Sequence, residues 1–409
     1  MNIAILGHGK EGQAVEKYFT EQGSDIRIFD NFTLEELKSF QLNHYDMVFR
    51  SPSIRPLSTT WTSSTKYFFD NCICPIIGVT GTKGKGTTCS MITAILESIG
   101  KTVHLVGNIG TPAISELDSI QPDDVVVYEL SSFQLWDLHV SPTVAVILRI
   151  EPDHLNVHTD FAEYVEAKSH IAAYQSQSDS CIYFQHNESS AHIAELSPAH
   201  KFPYPLSDKP NILVELLDSL NVPGEHNREN AEAALIACSA YLKLPLEDFL
   251  TQYHNEIHSA LANFHGLPHR LEFLRELNNV RYYDDNFSTG IASTSVAINA
   301  FPNDNVVAII GGRDKTDYAD LPDIAKLLDS PQVKKVILIG ESGHKLYADF
   351  PSSKFILAES LQEAIHAAKA IAESLDHAVV LMSPAAASFD MFQNVYDRGA
   401  QFASLVKSL

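Results

Sequence analysis

Apolar and polar positions along this chain fall into blocks that switch repeatedly between a strand-like and a helix-like period. The apolar run Ile3–Leu6 predicts a first strand, and Val15, Tyr18 and Phe19 recur at helical spacing after it. Ile26–Phe29 then predicts a second strand, which ends in Asp30. From residue 75 the alternation continues. Ile76-Ile77-Gly78-Val79, the segment 124–129 with Val125-Val126-Val127, and Val144–Leu148 are apolar without interruption, as parallel strands covered on both faces are. Ala231, Ala234, Leu235 and Cys238 mark one face of a helix over about 227–242. After Gly266-Leu267-Pro268, read as a linker, Val306–Ile310, Val336–Ile339 and Val379–Met382 predict further strands between helical stretches. Residues 177–222 are less regular and read as edge strands and loops. The pattern predicts three α/β domains, at 1–74, 75–268 and 269–409.

The punctuation between blocks carries the chemistry. Gly81-Thr82-Lys83-Gly84-Lys85-Gly86-Thr87 follows a strand and opens a helix, the layout of a loop that holds polyphosphate. Glycines let backbone N–H groups converge on an anion, the helix start adds unpaired donors, and Lys85 adds a point charge. The central domain is thus expected to be a P-loop ATPase-type parallel sheet. Near the start, Gly7, Gly9 and Gly12 make a G-x-G-x-x-G turn with Asp30 at the end of the next strand, so the first domain is expected to be Rossmann-like. That fingerprint suits any nucleotide carrying a diphosphate, NAD(P) included. A Rossmann-like α/β fold is also expected for the C-terminal domain.

Composition narrows the choice. With 45% hydrophobic and 20% charged residues the chain has the make-up of a globular protein with ample core. A net charge of −22 opposes nonspecific binding to nucleic acid or anionic membranes, so phosphate must be held by local positive sites. Five cysteines without a CxxC pair point to neither a disulfide framework nor a zinc knuckle. The opening apolar run is too short for a secretory leader, and no run of 18 apolar residues exists. A cytoplasmic location without membrane insertion is expected.

Other candidates lie after the central strands. Glu129 ends the second and suits a Mg²⁺ that bridges phosphate oxygens, with Thr87 or Thr88 as a hydroxyl ligand. His154 follows the third, either as a second cation ligand or as a structural residue. Lys168 falls on an apolar helical face with Phe161, Tyr164, Val165, Ile171 and Ala172. It either snorkels to solvent or reacts with CO₂ to become an anionic carbamate able to support a metal. Asn227 and Asn230 share one helix face, to reach phosphate or to cap the helix start. His269-Arg270 could bring a cation to nucleotide phosphates. Lys315 and Ser388 lie near the carboxyl ends of third-domain strands.

Together these residues resemble the ATP-dependent Mur ligases and the related folylpolyglutamate synthases, over almost the whole chain. Ser383-Pro384-Ala385-Ala386-Ala387-Ser388-Phe389-Asp390 is most similar to the branch that adds D-glutamate to UDP-N-acetylmuramoyl-L-alanine. The resemblance implies peptide-bond formation from ATP, with two magnesium sites and a monomeric cytoplasmic enzyme of peptidoglycan synthesis. It assigns Gly7, Gly9, Gly12, Asp30, Ser51 and Pro52 to the nucleotide sugar, and Asn108 and Gln134 to the muramoyl part. Gly81–Thr87, Asn227, Asn230, Arg270 and Asp285 go to ATP. Glu129 and His154 go to magnesium, and Lys168 becomes the carbamylated lysine. Thr289, Lys315, Ser388 and Phe389 go to the incoming amino acid. Arg270 and Asp285 would join the nucleotide when the third domain closes.

Three spellings depart from that branch. The phosphate loop, with Lys83 and Gly86, is more similar to that of folylpolyglutamate synthases. Asp284-Asp285-Asn286-Phe287-Ser288-Thr289 stands where Asn-Asp-Ser-Lys-Ala-Thr is common, so Phe287 replaces a lysine; Val395 replaces an aromatic residue. A folylpolyglutamate-type ligase and an NAD(P)-binding or nucleotide-sensing protein without ligase activity stay open as alternatives.

Overall fold

The computed structural model describes residues 1–40 and 42–409. Their strands are β1 (Asn2–Leu6), β2 (Asp25–Phe29), β3 (Met47–Arg50), β4 (Thr62–Ser63), β5 (Ile76–Thr80), β6 (Val103–Gly107), β7 (Val125–Glu129), β8 (Val144–Ile147), β9 (Ser180–Phe184) and β10 (His200–Tyr204). They continue with β11 (Glu272–Leu277), β12 (Val280–Asp284), β13 (Asn305–Gly311), β14 (Val333–Ile339), β15 (Phe355–Leu357) and β16 (Ala378–Met382). Among the described residues these form three sheets, ordered β2-β1-β3-β4, β10-β9-β8-β5-β7-β6 and β11-β12-β16-β13-β14-β15. Every pairing is parallel except β11 with β12. The α/β reading of the hydrophobic pattern holds.

The described residues divide into two compact units, Met1–Ser219 with Glu229–Ala262, and Leu220–Arg228 with Asn263–Leu409. The first unit contains the first two sheets and the second contains the third. The boundary passes through the helix Glu225–Leu242, so Asn227 and Asn230 fall in different units.

In the central sheet β5, β7 and β8 are fully buried along their length, as their unbroken apolar runs require. The segment that read as edge strands and loops holds two strands and two helices: β9, the helix Glu188–Glu195, β10 and the helix Asn211–Asp218. Strand β10 carries Pro203 and has its first three residues exposed. It lies at the edge of the sheet, where a missing N–H is tolerated. Among the described residues no helix is long and apolar enough to cross a membrane.

Candidate active site

In the first unit, β5 ends at Thr80 and the helix Lys85–Ser98 starts just beyond. The turn between them requires glycine at two positions. Gly81 has φ +154°, and a Cβ there would stand 2.6 Å from Leu148 Cβ. Gly84, the N-cap, has φ +86°, and its Cβ would stand 2.6 Å from Asn230 Oδ1. No side chain caps this helix, so its first amides are left for an anion. Lys85 Nζ donates to the carbonyls of Gly81 at 3.0 Å and Thr82 at 3.1 Å, which folds the ammonium over the loop. Thr82 anchors the loop to the next strand's exit: its hydroxyl donates to Glu151 O at 2.9 Å and its amide to Arg149 O at 2.9 Å. Lys83 points outward, 3.4 Å from Asp153. Gly86 and Thr87 are partly buried in the first turn, whereas Thr88 is buried and its Oγ1 has no hydrogen-bond partner.

The sheet order explains what surrounds this loop. Strand β5 lies between β7 and β8, so their carboxyl ends flank it. Glu129 ends β7 in register with Val79 on one side and Gly107 on the other, and is 7% exposed. His154 follows β8 in a left-handed backbone conformation, φ 55°, with its ring 5.1 Å from that of Phe133. Its imidazole is half exposed, and its amide donates to the Asp153 carboxylate at 3.0 Å.

Lys168, on the helix Phe161–Ala173, does not snorkel. It is 1% exposed, its Nζ donates to Thr80 Oγ1 at 3.2 Å and Gly81 O at 3.0 Å, and it lies 4.7 Å over the Tyr164 ring. Burial first, then the charge of Lys85, push its pKa well below the usual lysine value. The apolar helical face signalled burial, but only the packing supplied the polar partners. His158 went unremarked in the sequence. It is buried, stacked on Phe133 at 5.3 Å and 3.0 Å from Ser132 Oγ, and burial lowers its pKa.

Around β1, Gly7 has φ +83°, and the Ser51 hydroxyl donates to its carbonyl at 2.8 Å, so a Cβ on Gly7 would meet Ser51 Oγ at 2.7 Å. A Cβ on Gly12 would stand 2.3 Å from Gly7 O. Asp30 accepts the His8 amide at 3.3 Å, and Gly9 N-caps the helix Lys10–Glu21. Pro52 is partly buried beside Arg50, which the sequence did not single out. The Arg50 guanidinium is buried, paired with Asp137 and donating to the carbonyls of Phe133 at 3.2 Å and Ile54 at 3.1 Å. Gln134 sits in a capping box, its Oε1 accepting from Ser131 N and Oγ at 2.9 Å each. Its Nε2 donates to Glu11 at 2.8 Å. Asn108 is exposed, with its amide 3.3 Å from Glu129 O.

Asn230 presses its side chain against the phosphate loop at Gly84, and so acts inside the first unit. Asn227 belongs to the second, where its Nδ2 donates to Pro223 O at 2.7 Å. The helix starts at Glu225, upstream of both.

In the second unit Arg270 is exposed, with its guanidinium 5.4 Å over the Phe287 ring. Phe287 also meets Tyr396 edge-on at 5.3 Å. Asp285 is buried, accepting from Ser383 Oγ at 2.7 Å and Leu271 N at 3.1 Å. Burial pushes its pKa up to about 6, against the lowering effect of Ser288 and Ser383. Lys315 donates to Thr289 Oγ1 at 2.7 Å; burial and then Arg398 lower its pKa. Ser388 is buried with an unpartnered Oγ, next to Phe389, which is 69% exposed.

Residues 79–238 match the Mur ligase middle domain, and residues 269–385 match the Mur ligase glutamate ligase domain. The chain is 32% identical to the UDP-N-acetylmuramoylalanine--D-glutamate ligase of Ruminiclostridium cellulolyticum, with all of this chain and 96% of the relative covered. The enzyme of the same name from Clostridium kluyveri is 31% identical, with the same coverage. Among solved structures, UDP-N-acetylmuramate-alanine ligase MurC from Thermotoga maritima superposes with a TM-score of 0.61 at 18% identity, covering 100% of this chain and 99% of its own. The MurF ligase of Thermotoga maritima, solved with ADP, gives 0.59 at 15% identity, covering 100% and 95%. With sequence likeness extending over its full length and the phosphate loop, the acidic strand end and the buried lysine gathered at one sheet edge, the chain belongs to the Mur ligase family.

Proposed function

We propose that this chain adds D-glutamate to UDP-N-acetylmuramoyl-L-alanine, consuming ATP and releasing ADP and phosphate through an acyl phosphate. The observation that carries the reading is the phosphate loop, glycine-bent and closed by Lys85, flanked by Glu129 and the Lys168 amine at the carboxyl edge of the central sheet. Full-length likeness to named D-glutamate ligases supplies the amino acid and the acceptor.

A free carboxylate is a poor electrophile, and transfer of a phosphoryl group onto it creates a leaving group. The amine of D-glutamate then attacks the carbonyl carbon, and the tetrahedral species collapses to amide and phosphate. Lys85 offsets charge on the phosphoryl group in transfer, a task of positioning and electrostatics. The buried carboxylate of Glu129 and the partnerless hydroxyl of Thr88 fit a magnesium ion, with Thr87 next in the same turn and His154 and a carbamylated Lys168 as candidates for a second. Magnesium would neutralise phosphate oxygens when bound. Burial and the charge of Lys85 lower the Lys168 pKa and so favour the unprotonated amine, the form that reacts with CO₂.

Gly7, Gly9, Gly12, Asp30, Ser51 and Pro52 are assigned to the UDP part, and Asn108 and Gln134 to the muramoyl part. Asn230 with the loop, and Asn227, Arg270 and Asp285 on the second unit, are assigned to ATP. Thr289, Lys315, Ser388 and Phe389 are assigned to the amino acid, the partnerless Ser388 hydroxyl being a ready donor to a carboxylate. The enzyme acts as a monomer in the cytoplasm.

Phosphate release from ATP, measured with UDP-N-acetylmuramoyl-L-alanine and a panel of D- and L-amino acids, tests this. Release that requires the nucleotide sugar and D-glutamate supports it; release with a folate and L-glutamate instead would transfer the assignment to the folylpolyglutamate type, as the loop spelling with Lys83 and Gly86 allows. Lys85→Ala should abolish turnover while nucleotide-sugar binding persists.

A further inference from the structure

An acid sits inside the loop assigned to the diphosphate. Glu11 occupies the first turn of the helix Lys10–Glu21, between Gly9 and Gly12. One carboxyl oxygen accepts from Gln134 Nε2 at 2.8 Å, and the other, Oε2, is buried with no hydrogen-bond partner. An ionised oxygen in that position forfeits its hydration without compensation. The cation facing it is Arg50 on β3, whose charge is already offset by Asp137 at 2.9 Å; from β7 it faces the phenol of Tyr128. Burial raises the Glu11 pKa more than Gln134 and Arg50 lower it.

An incoming diphosphate at this helix start is repelled by an ionised Glu11 in its first turn. A protonated Oε2 does the opposite, since its O–H becomes a donor and the diphosphate oxygen is the acceptor it lacks. The other oxygen still accepts from Gln134, whose Oε1 is occupied by Ser131, so the second Nε2–H of Gln134 keeps its aim. We propose that Glu11 is a positioning residue that takes one proton from solvent as the nucleotide sugar binds, joining the diphosphate loop to Gln134. The inference rests on the assignment of Gly7–Gly12 to the nucleotide sugar.

Calorimetry of UDP-N-acetylmuramoyl-L-alanine binding, run in buffers of different ionisation enthalpy between about pH 6 and 8.5, reads the proton directly. The diphosphate diester and the ligand's carboxylate stay ionised throughout that range. Above the pKa of Glu11 in the free protein, uptake should approach one proton per site and Kd should rise by up to about tenfold per pH unit. Glu11→Gln keeps an acceptor for Gln134 and a donor for the diphosphate, and should bind with no uptake and a flat Kd. Glu11→Ser, which removes the carboxyl altogether, should also show no uptake. Binding by the wild type without uptake, or uptake that persists in both variants, would overturn the inference. If the wild type binds no nucleotide sugar, the assignment of the loop falls first and this inference with it.

Discussion

The side-chain nitrogen of Lys168, Nζ, lies 3.0 Å from the carbonyl oxygen of Gly81, the first residue of the phosphate loop. The two residues are 87 positions apart, so the bond ties the loop to the helix Phe161–Ala173 that follows β8. Burial with a depressed pKa makes a lysine more readily a nucleophile than an exposed one is.

Lys168→Met keeps the stem's volume and removes the amine. Turnover should fall by about a hundredfold or more, within the range seen when an electrostatic group of an active site is removed. Wild-type protein in ¹³C-bicarbonate should show a carbamate resonance that the variant lacks; its absence from the wild type would leave Lys168 as an amine.

Gly84→Ala should damage both loop and catalysis. The new methyl would sit 2.6 Å from Asn230 Oδ1 at a φ of +86°, which L-residues rarely adopt. A loss of about 1–2 kcal/mol in stability is expected, with ATP affinity lowered together with kcat. Gly100→Ala, at φ +83° but with nothing within 4 Å of the added carbon, isolates the backbone part of that cost.

Asp285 binds its proton more tightly folded, at about 6, than at its ordinary value of 3.8. The folded state therefore holds the extra proton between those two pH values, and stability falls as pH rises through that window, by on the order of 3 kcal/mol. In Asp285→Asn the decline should vanish. Chemical unfolding of both proteins at steps from about pH 4 to 7 measures the difference, and parallel curves would refute the assignment.

His269 and Asp284 give the same sign from a different cause, charge pairing rather than burial. The Asp284 carboxylate, 2.7 Å from His269 Nδ1, raises the histidine's pKa above its ordinary 6.5, against burial. The stabilisation is complete below the unfolded pKa and is lost as pH rises through the folded one. Asp284→Asn should bring the imidazole titration, followed by NMR, down to 6.5 or lower, and an unmoved titration would mean that the carboxylate is not the cause.

By itself the sequence determined the local features: apolar runs that become buried parallel strands, glycines at Gly81 and Gly84 that permit the loop, and the switch from strand to helix after each strand. These depend on neighbours in the chain, through side-chain period and backbone sterics, and so leave a mark in the order of residues. Strand β10 was legible only as an edge strand somewhere in 177–222, because Pro203 and its exposed positions break the strand pattern, a breach that only an edge location permits. Tertiary structure decided which strand ends stand together, that Lys168 is sealed in rather than snorkelling, and that Asn230 packs on the loop. It also decided that Glu11 meets Gln134 across 123 positions and that Arg50 meets Asp137 across 87. Those contacts follow from sheet order and crossover packing, for which a linear pattern of hydrophobic and polar residues holds no coordinate.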